Sequence, residues 1–319
     1  MKTVVVLGLL SLLLLVRLPG AIVAAEPWDI KATLSRMMSE ARSNTPFQTP
    51  SEEQLRDADP QRVLDFLAPY EKDSSWLVRR LALSQAVRVA TIHPESQIRQ
   101  QVVERLVEAT LSRSVPGARE WLRRFRASEY NDRSKDLIRE ALARVNRGVV
   151  GGDRAVWLCG SANIRDQLPR LKGLLIDEIQ YQAEAKRSGD KKWYLTTGWA
   201  ARLARARMGV EEDIERCIEL AEAEQDADER VLRILPQIGT IRRPRAVEYL
   251  RRYLDSDERL APVKPTGLGG LYASRVMHIF AESLEDYPVK QKAARNYTEE
   301  EIQICREWMG VRANWKIIR

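Results

Sequence analysis

The side chains most often used in catalysis and metal binding are sparse in this sequence. Among 319 residues there are two histidines and three cysteines. His93 precedes Pro94, where a helix is expected to end, and His278 lies within an apolar segment. Neither comes with a nucleophile elbow or an active-site cysteine signature, and the two residue types together are too few for an ordinary zinc site. The sequence therefore indicates no catalytic residue, no metal site, no cofactor and no enzyme class.

Arginine is the residue type best placed to bind a ligand. Residues 230–252 contain seven basic residues against one acidic residue, whereas residues 211–229 contain ten acidic residues against Arg216 alone. Two neighbouring helices of opposite sign can neutralise each other. Alternatively, guanidinium groups gathered at one edge bind an acidic partner or a polyanion. The candidate basic edge consists of Arg242, Arg243, Arg245, Arg251 and Arg252.

A glycine-rich segment gives a second candidate site. Residues 266–270 read TGLGG and precede a predicted helix, so backbone N–H groups there can approach an anion. The candidate residues of this anion loop are Gly267, Gly269, Gly270 and Arg275. A dinucleotide fingerprint would need glycine where Tyr272 stands, and the Gly-Lys-Ser/Thr of a phosphate-binding loop is missing. The alternative is a plain connector between two helical units.

Aromatic and cysteine residues have both a structural and a functional reading. Trp121 lies among arginines, and Trp193 with Tyr194 follows two lysines. Aromatic rings among cations are typical of sites where a ligand stacks, and tryptophan is also common in the core between helices. Cys159, Cys217 and Cys305 each lie in an apolar helical context. We expect buried single thiols, with one disulfide pair as the alternative.

Apolar residues recur at three- and four-residue spacing, and alternating strand patterns are almost absent. The sequence predicts an all-α protein. Capping boxes at Ser51/Gln54 and Thr298/Glu301, an Asp59-Pro60 helix start and a Gly209 C-cap mark helix ends. The predicted helical segments are 28–41, 51 onward, 60–68, 74–93, 94–112, 131–146, 155–175, 193–208, 211–224, 229–238, 244–254, 271–284 and 298–309.

Four stretches of the chain resemble HEAT-like repeats: residues 76–82, 155–175, 199–205 and 231–254. The resemblance covers about residues 74–286, with four to six repeats, and the blocks 115–130 and 261–270 depart from regular spacing. It implies an α-solenoid of antiparallel helix pairs, whose extended curved face binds another macromolecule.

The N-terminus reads as an export signal. Lys2 is followed by an apolar run over residues 4–16 and by small residues ending at Ala25. We expect cleavage after Ala25 and a periplasmic or secreted protein, the alternative being a retained membrane anchor. The expected organisation is a signal peptide at 1–25, an N-terminal helix and linker at 26–50 and the repeat domain at 51–319.

These observations predict an interaction or scaffold module of the cell envelope whose partner is another protein. The first alternative is a module that binds an anionic envelope polymer or a small anion through the arginine-rich edge. The second is an enzyme without a recognisable motif. Nucleic acid is not an expected partner, because the net charge of +7 is modest and an exported protein rarely meets it.

Overall fold

The protein is all-helical over the residues that the computed structural model describes, which are 29–146, 153–175, 192–260, 270–289 and 297–319. Within them the extended pairing amounts to two isolated bridges, Arg259 with Leu271 and Leu284 with Ile317. The helices of the N-terminal half are α1 Asp29–Arg42, α2 Glu52–Asp57, α3 Pro60–Leu67, α4 Trp76–Ile92, α5 Ser96–Ser112, α6 Ala118–Leu122, α7 Asp132–Ala143, α8 Asp153–Ser161 and α9 Leu168–Leu174.

The C-terminal half begins with α10 Thr197–Arg207 and α11 Glu211–Ala223. Helix α12 combines Ala227–Glu229, a π-helical turn Arg230–Ile234 and Leu235–Gly239. It is followed by α13 Pro244–Leu254, α14 Tyr272–Ser283 and α15 Glu299–Gly310. Among the described residues, no helix combines the length and the apolar character needed to cross a membrane. The predicted export signal at 1–25 lies outside the described residues.

The predicted helix ends are confirmed where capping chemistry marks them. Ser51 and Gln54 form a capping box at α2, and Thr298 and Glu301 form another at α15. The Asp59 side chain accepts hydrogen bonds from the backbone N–H groups of Gln61 and Arg62, the two residues after Pro60 of α3. Gly209 ends α10 with φ +91°, a left-handed conformation that glycine adopts without steric cost.

Helices α4 and α5 pack as the antiparallel pair expected from their sequence. Arg79 near the start of α4 donates from Nε to the carbonyl of Ser114 beyond the end of α5, at 3.1 Å. Arg99 near the start of α5 donates to the carbonyl of Ala90 near the end of α4, at 3.0 Å. Both bonds require the chain to reverse direction between the two helices.

The helical pattern over 155–175 does not form one continuous helix. Helix α8 ends at Ser161, Asn163 takes a left-handed conformation with φ +52°, and α9 begins only at Leu168. Asparagine tolerates this conformation better than most residues, and Pro169 suits the first turn of a new helix. The break separates two helices: residues 162–164 form the turn, and a short 3-10 helix, Arg165–Gln167, precedes α9.

Helix α10 lies between two hydrophobic cores. Ala201 and Ala204 pack into the core of the N-terminal half. Trp199, Leu203 and Ala206 pack into the core of the C-terminal half. The helix carries apolar residues on most of its circumference because both halves cover it.

Contacts between distant segments also join the halves. The Arg242 guanidinium donates to the carbonyls of Arg123 and of Phe125, which precede it by 119 and 117 residues. Arg123 in turn pairs with Glu282 at 3.3 Å across 159 residues. In an open stack each unit contacts only its sequence neighbours, so these contacts close the chain on itself more than simple stacking does.

Candidate anion-binding site

A cavity of about 300 Å³ opens at the seam between the two halves. Five arginines line it: Arg165, Arg207, Arg242, Arg243 and Arg319. The other lining residues are uncharged: Ala127, Gly160, Ser161, Asn163 and Ile241. We call this cavity the arginine pocket. No Asp or Glu side chain is among the described residues that line it.

Three breaks between helices bring these side chains together. The end of α8 and the segment after it supply Ser161, Asn163 and Arg165, and the end of α10 supplies Arg207. The turn between α12 and α13 supplies residues 241–243. The last residue, Arg319, lies at the pocket because its backbone oxygen accepts a hydrogen bond from the N–H of Ala127.

Gly160 allows α8 to approach α10 closely behind the pocket. A Cβ atom at this position would lie 2.7 Å from the Cα of Ala204, closer than such atoms come in proteins. The absence of a side chain therefore permits the approach that places the turn after α8 next to Arg207.

Arg207 forms the buried floor of the pocket. It is 9% exposed, and its Nη1 donates to the carbonyl of Thr240 at 3.0 Å. Burial, together with the positive charges of Arg242, Arg123 and Arg243, lowers the pKa of Arg207 to about 9, although the Tyr130 hydroxyl acts in the opposite direction. A guanidinium stays charged in neutral water, so this shift reflects the electrostatic cost of holding the cation here.

Arg242 is also a buried cation, but its donors are used. It is 3% exposed and donates to the carbonyls of Glu282 and Ile318 at 3.2 Å each, as well as to those of Arg123 and Phe125. Burial lowers its pKa to about 10. Arg242 therefore contributes positive charge to the pocket and donates to four backbone carbonyls in three segments.

Arg243 and Arg165 also bond to backbone carbonyls within the pocket wall. Arg243 donates from Nε and Nη2 to the carbonyl of Arg207, at 3.0 and 2.7 Å. Arg165 is exposed and donates to the carbonyl of Met208. Burial, then the charges of Arg319 and Arg165, lowers the pKa of Arg243, and Glu211 opposes that effect. Carbonyl oxygens hold these guanidiniums in place without neutralising them.

A buried hydroxyl group, that of Ser161, lies in the lining of the pocket. The Oγ of Ser161 is buried, and Ser161 as a whole is 1% exposed. Buried hydroxyl groups are normally satisfied by protein, water or ligand. Here the neighbouring hydroxyl is that of Tyr130, whose pKa the hydrogen bond to Ser161 lowers against the larger effect of burial.

Other arginines of the same helix are neutralised by a carboxylate. Arg202 and Arg205 of α10 share the buried carboxylate of Asp213, at 2.9 and 2.6 Å. Two residues after Arg205, Arg207 faces the arginine pocket instead. Among the described residues, the lining of the arginine pocket therefore differs from the surroundings of Arg202 and Arg205, because it contains no Asp or Glu side chain.

The structure divides the candidate basic edge into separate surroundings. Arg242 and Arg243 lie at the arginine pocket. Arg245 pairs with Glu215 at 2.7 Å, and Arg252 pairs with Glu222 at 3.1 Å. Arg251 is partly buried on α13. The acidic helix α11 and the basic helix α13 therefore neutralise each other in part, which is one of the two outcomes expected from their charges.

The candidate anion loop is only partly within the described residues. Gly267 and Gly269 lie outside them. Gly270 is buried, and its carbonyl accepts a hydrogen bond from the N–H of Leu260 at 3.0 Å. Arg275 is exposed in the first turn of α14. Neither described residue lines the arginine pocket.

The remaining candidate residues take structural positions. Trp193 packs edge-on against Trp199, and its Nε1 donates to Glu224 at 3.0 Å. His93 contacts the carbonyl of Leu55 through Nε2 at 2.9 Å. The three cysteines are buried free thiols: Cys159, Cys217 and Cys305. The described residues contain no group of three His, Cys, Asp or Glu side chains suited to a metal ion.

Five polar or charged residues of the pocket were not singled out from the sequence: Ser161, Asn163, Arg165, Arg207 and Arg319. Each arginine stands in a different segment, so no local cluster of charge marks them. The one available signal was the Gly-Ser-Ala-Asn run at 160–163, which is typical of a helix end. It would have divided the predicted helix over 155–175.

Comparison with known proteins adds no relative: no protein-family model matches the chain, and neither the curated proteins nor the solved structures include a significant match.

Proposed function

We propose that this protein is a helical-repeat binding module that takes an anion in the arginine pocket. One observation carries the proposal: five arginines line a single cavity with no Asp or Glu side chain among the described lining residues. Uncompensated buried cations cost stability, and proteins normally pair them. A bound anion would supply the missing negative charge.

The burial of the site favours a discrete anion over a polymer lying along the surface. Arg207, Arg242 and Ser161 are nearly inaccessible, while Arg165, Asn163 and Arg319 are exposed at the mouth. A small ligand can enter such a cavity, whereas a long polymer would contact only its rim. Arg245 and Arg252, which the polymer hypothesis needs, are already paired with glutamates.

The proposal also includes a HEAT-like repeat architecture and a location in the cell envelope. Antiparallel pairing of α4 with α5 supports the repeat architecture. Export rests on the signal-like residues 1–25 alone. The scaffold role predicted from the sequence stays a prediction, and anion binding is compatible with it if the ligand belongs to a partner.

Isothermal titration calorimetry tests the proposal, with inorganic phosphate as the probe at low ionic strength. Arg243→Gln and Arg165→Gln should each weaken binding at least about tenfold, because a charged hydrogen bond contributes about 1.5–3 kcal/mol. Arg245→Gln is the matched control, since Arg245 faces Glu215 and not the pocket. We expect its affinity to stay within about twofold of the wild type.

Circular dichroism on each variant separates loss of binding from loss of fold. The proposal fails if the folded wild type binds no phosphate at millimolar concentration. It also fails if Arg245→Gln weakens binding as much as the two pocket variants do, because the anion would then sit on the surface of α13.

A further inference from the structure

The arginine pocket has more room and more charge than a single inorganic ion needs. We infer that its ligand is the phosphate monoester of a small polar molecule. The inference rests on the proposed function, because it names the ligand class of the same site. Its support comes from the charge, the donor geometry and the two-part lining of the pocket.

Charge balance favours a dianion. Three guanidiniums, those of Arg207, Arg242 and Arg243, are buried or partly buried, and those of Arg165 and Arg319 lie at the mouth. A phosphate monoester carries a charge of about −1.5 to −2 at neutral pH, whereas a sulfate ester carries a single negative charge. The ester with two charges compensates more of the cluster.

The donors favour a tetrahedral oxyanion. Arg243 and Arg165 are held by backbone carbonyls of residues 207 and 208, so their remaining N–H groups stay available. Arg207 uses Nη1 on the Thr240 carbonyl, so its other N–H groups also stay available. Three phosphoryl oxygens accept from more donors than the two oxygens of a carboxylate can.

The volume leaves room for an organic part. A cavity of 300 Å³ corresponds to about ten waters of liquid, so a phosphoryl group alone fills only part of it. Ala127 and Ile241 add apolar surface, and Asn163 adds an amide at the mouth. An amide that can both donate and accept suits a hydroxylated molecule of about the size of a monosaccharide.

The test compares four probes by calorimetry on the full chain: glucose 6-phosphate, inorganic phosphate, glucose 6-sulfate and citrate. We expect glucose 6-phosphate to bind at least about tenfold tighter than each of the other three. Its affinity should fall severalfold from pH 8 to pH 5.5, because the second ionisation of a phosphate monoester has a pKa near 6. The sulfate ester should show a smaller change.

Two substitutions at Asn163 test the contribution of its side chain at the mouth of the pocket. Glycine and aspartate both tolerate the left-handed backbone conformation of this residue. Asn163→Gly keeps the left-handed conformation and removes the amide, so it should reduce the preference for glucose 6-phosphate over inorganic phosphate. Asn163→Asp places a carboxylate among the arginines. It should raise the melting midpoint without ligand and weaken glucose 6-phosphate at least about tenfold.

Other results of these titrations would contradict the inference in different ways. Equal affinity for inorganic phosphate and glucose 6-phosphate would leave an anion site but contradict the organic ligand. Tighter binding of citrate or of the sulfate ester than of glucose 6-phosphate would contradict the assignment of a phosphate monoester as the ligand. If none of the four probes binds, the proposed function fails together with this inference.

Discussion

At the scale of single residues, α10 shows how this chain treats a buried arginine. Arg202 and Arg205 share Asp213, which is 1% exposed. Asp213→Asn would leave two largely buried guanidiniums without a counterion. We expect a loss of about 3–5 kcal/mol in the free energy of unfolding, measured by urea denaturation. Glu219→Gln, which removes an exposed partner of Arg216, should cost less than about 1 kcal/mol. Equal losses in the two variants would contradict this account of α10.

His278 gives a residue-scale prediction about pH. Burial and the charge of Arg275 lower the pKa of His278, and Glu282 opposes them. Its ring also packs against Tyr297, with centroids 4.9 Å apart. Between pH 6.5 and the lowered folded pKa, the unfolded chain binds more protons, so the stability that neutral His278 provides is lost as pH falls.

Urea unfolding at pH 7.5 and pH 5.5 measures this effect. The free energy of unfolding should decrease from the higher to the lower pH, and His278→Gln should reduce the decrease. The salt-bridged carboxyl groups of Asp73, Asp166 and Glu215 have lowered pKa values and therefore act at still lower pH. An identical pH dependence in wild type and variant would rule out His278 as its source.

At the scale of elements, the close approach of α8 to α10 depends on Gly160. Gly160→Ala would force a Cβ against the Ala204 backbone, which cannot move as a flexible side chain can. We expect about 1–3 kcal/mol of destabilisation in chemical denaturation. Gly173→Ala in α9 is the control, because a Cβ there meets no atom of the described residues within 4 Å, and alanine favours helix. A neutral Gly160→Ala would show that the two helices are not constrained in this way.

Helices with chemical start signals were predictable from the sequence, and breaks inside apolar patterns were not. The Asp59-Pro60 and Thr298/Glu301 signals act locally, so the sequence around them determines where a helix begins. The turn at Asn163 interrupts a segment whose apolar spacing continues on both sides. Periodicity alone therefore could not place it.

The arginine pocket escaped prediction for a different physical reason. Its arginines come from residues 165, 207, 242, 243 and 319, and only tertiary packing brings them together. The charge pattern did identify Arg242 and Arg243. It could not distinguish them from Arg245 and Arg252, because the glutamates that neutralise those two lie on another helix, α11.

At the scale of the whole molecule, Arg242 connects the two halves and the C-terminal segment. Its guanidinium donates to backbone carbonyls near residues 123–125, 282 and 318. Arg242→Met would leave these carbonyls without their donor, at an expected cost of about 3–5 kcal/mol. Hydrogen–deuterium exchange should increase at residues 316–318, whose N–H and C=O groups pair with residues 283 and 285. Unchanged exchange there would show that Arg242 does not hold this segment.

No Asp or Glu side chain is among the described residues that line the arginine pocket, and we expect a bound anion to supply the missing negative charge. The most direct measurement is the melting midpoint of wild type and Arg207→Met, each without and with inorganic phosphate. Arg207 has one carbonyl partner and a lowered pKa, so its removal takes away an uncompensated charge at little loss of hydrogen bonding.

We expect Arg207→Met to melt about 2–4 °C higher than wild type without phosphate, which corresponds to about 1 kcal/mol. Phosphate should raise the midpoint of wild type and leave that of Arg207→Met nearly unchanged. A variant that melts lower than wild type and is still stabilised by phosphate to the same extent would contradict the account.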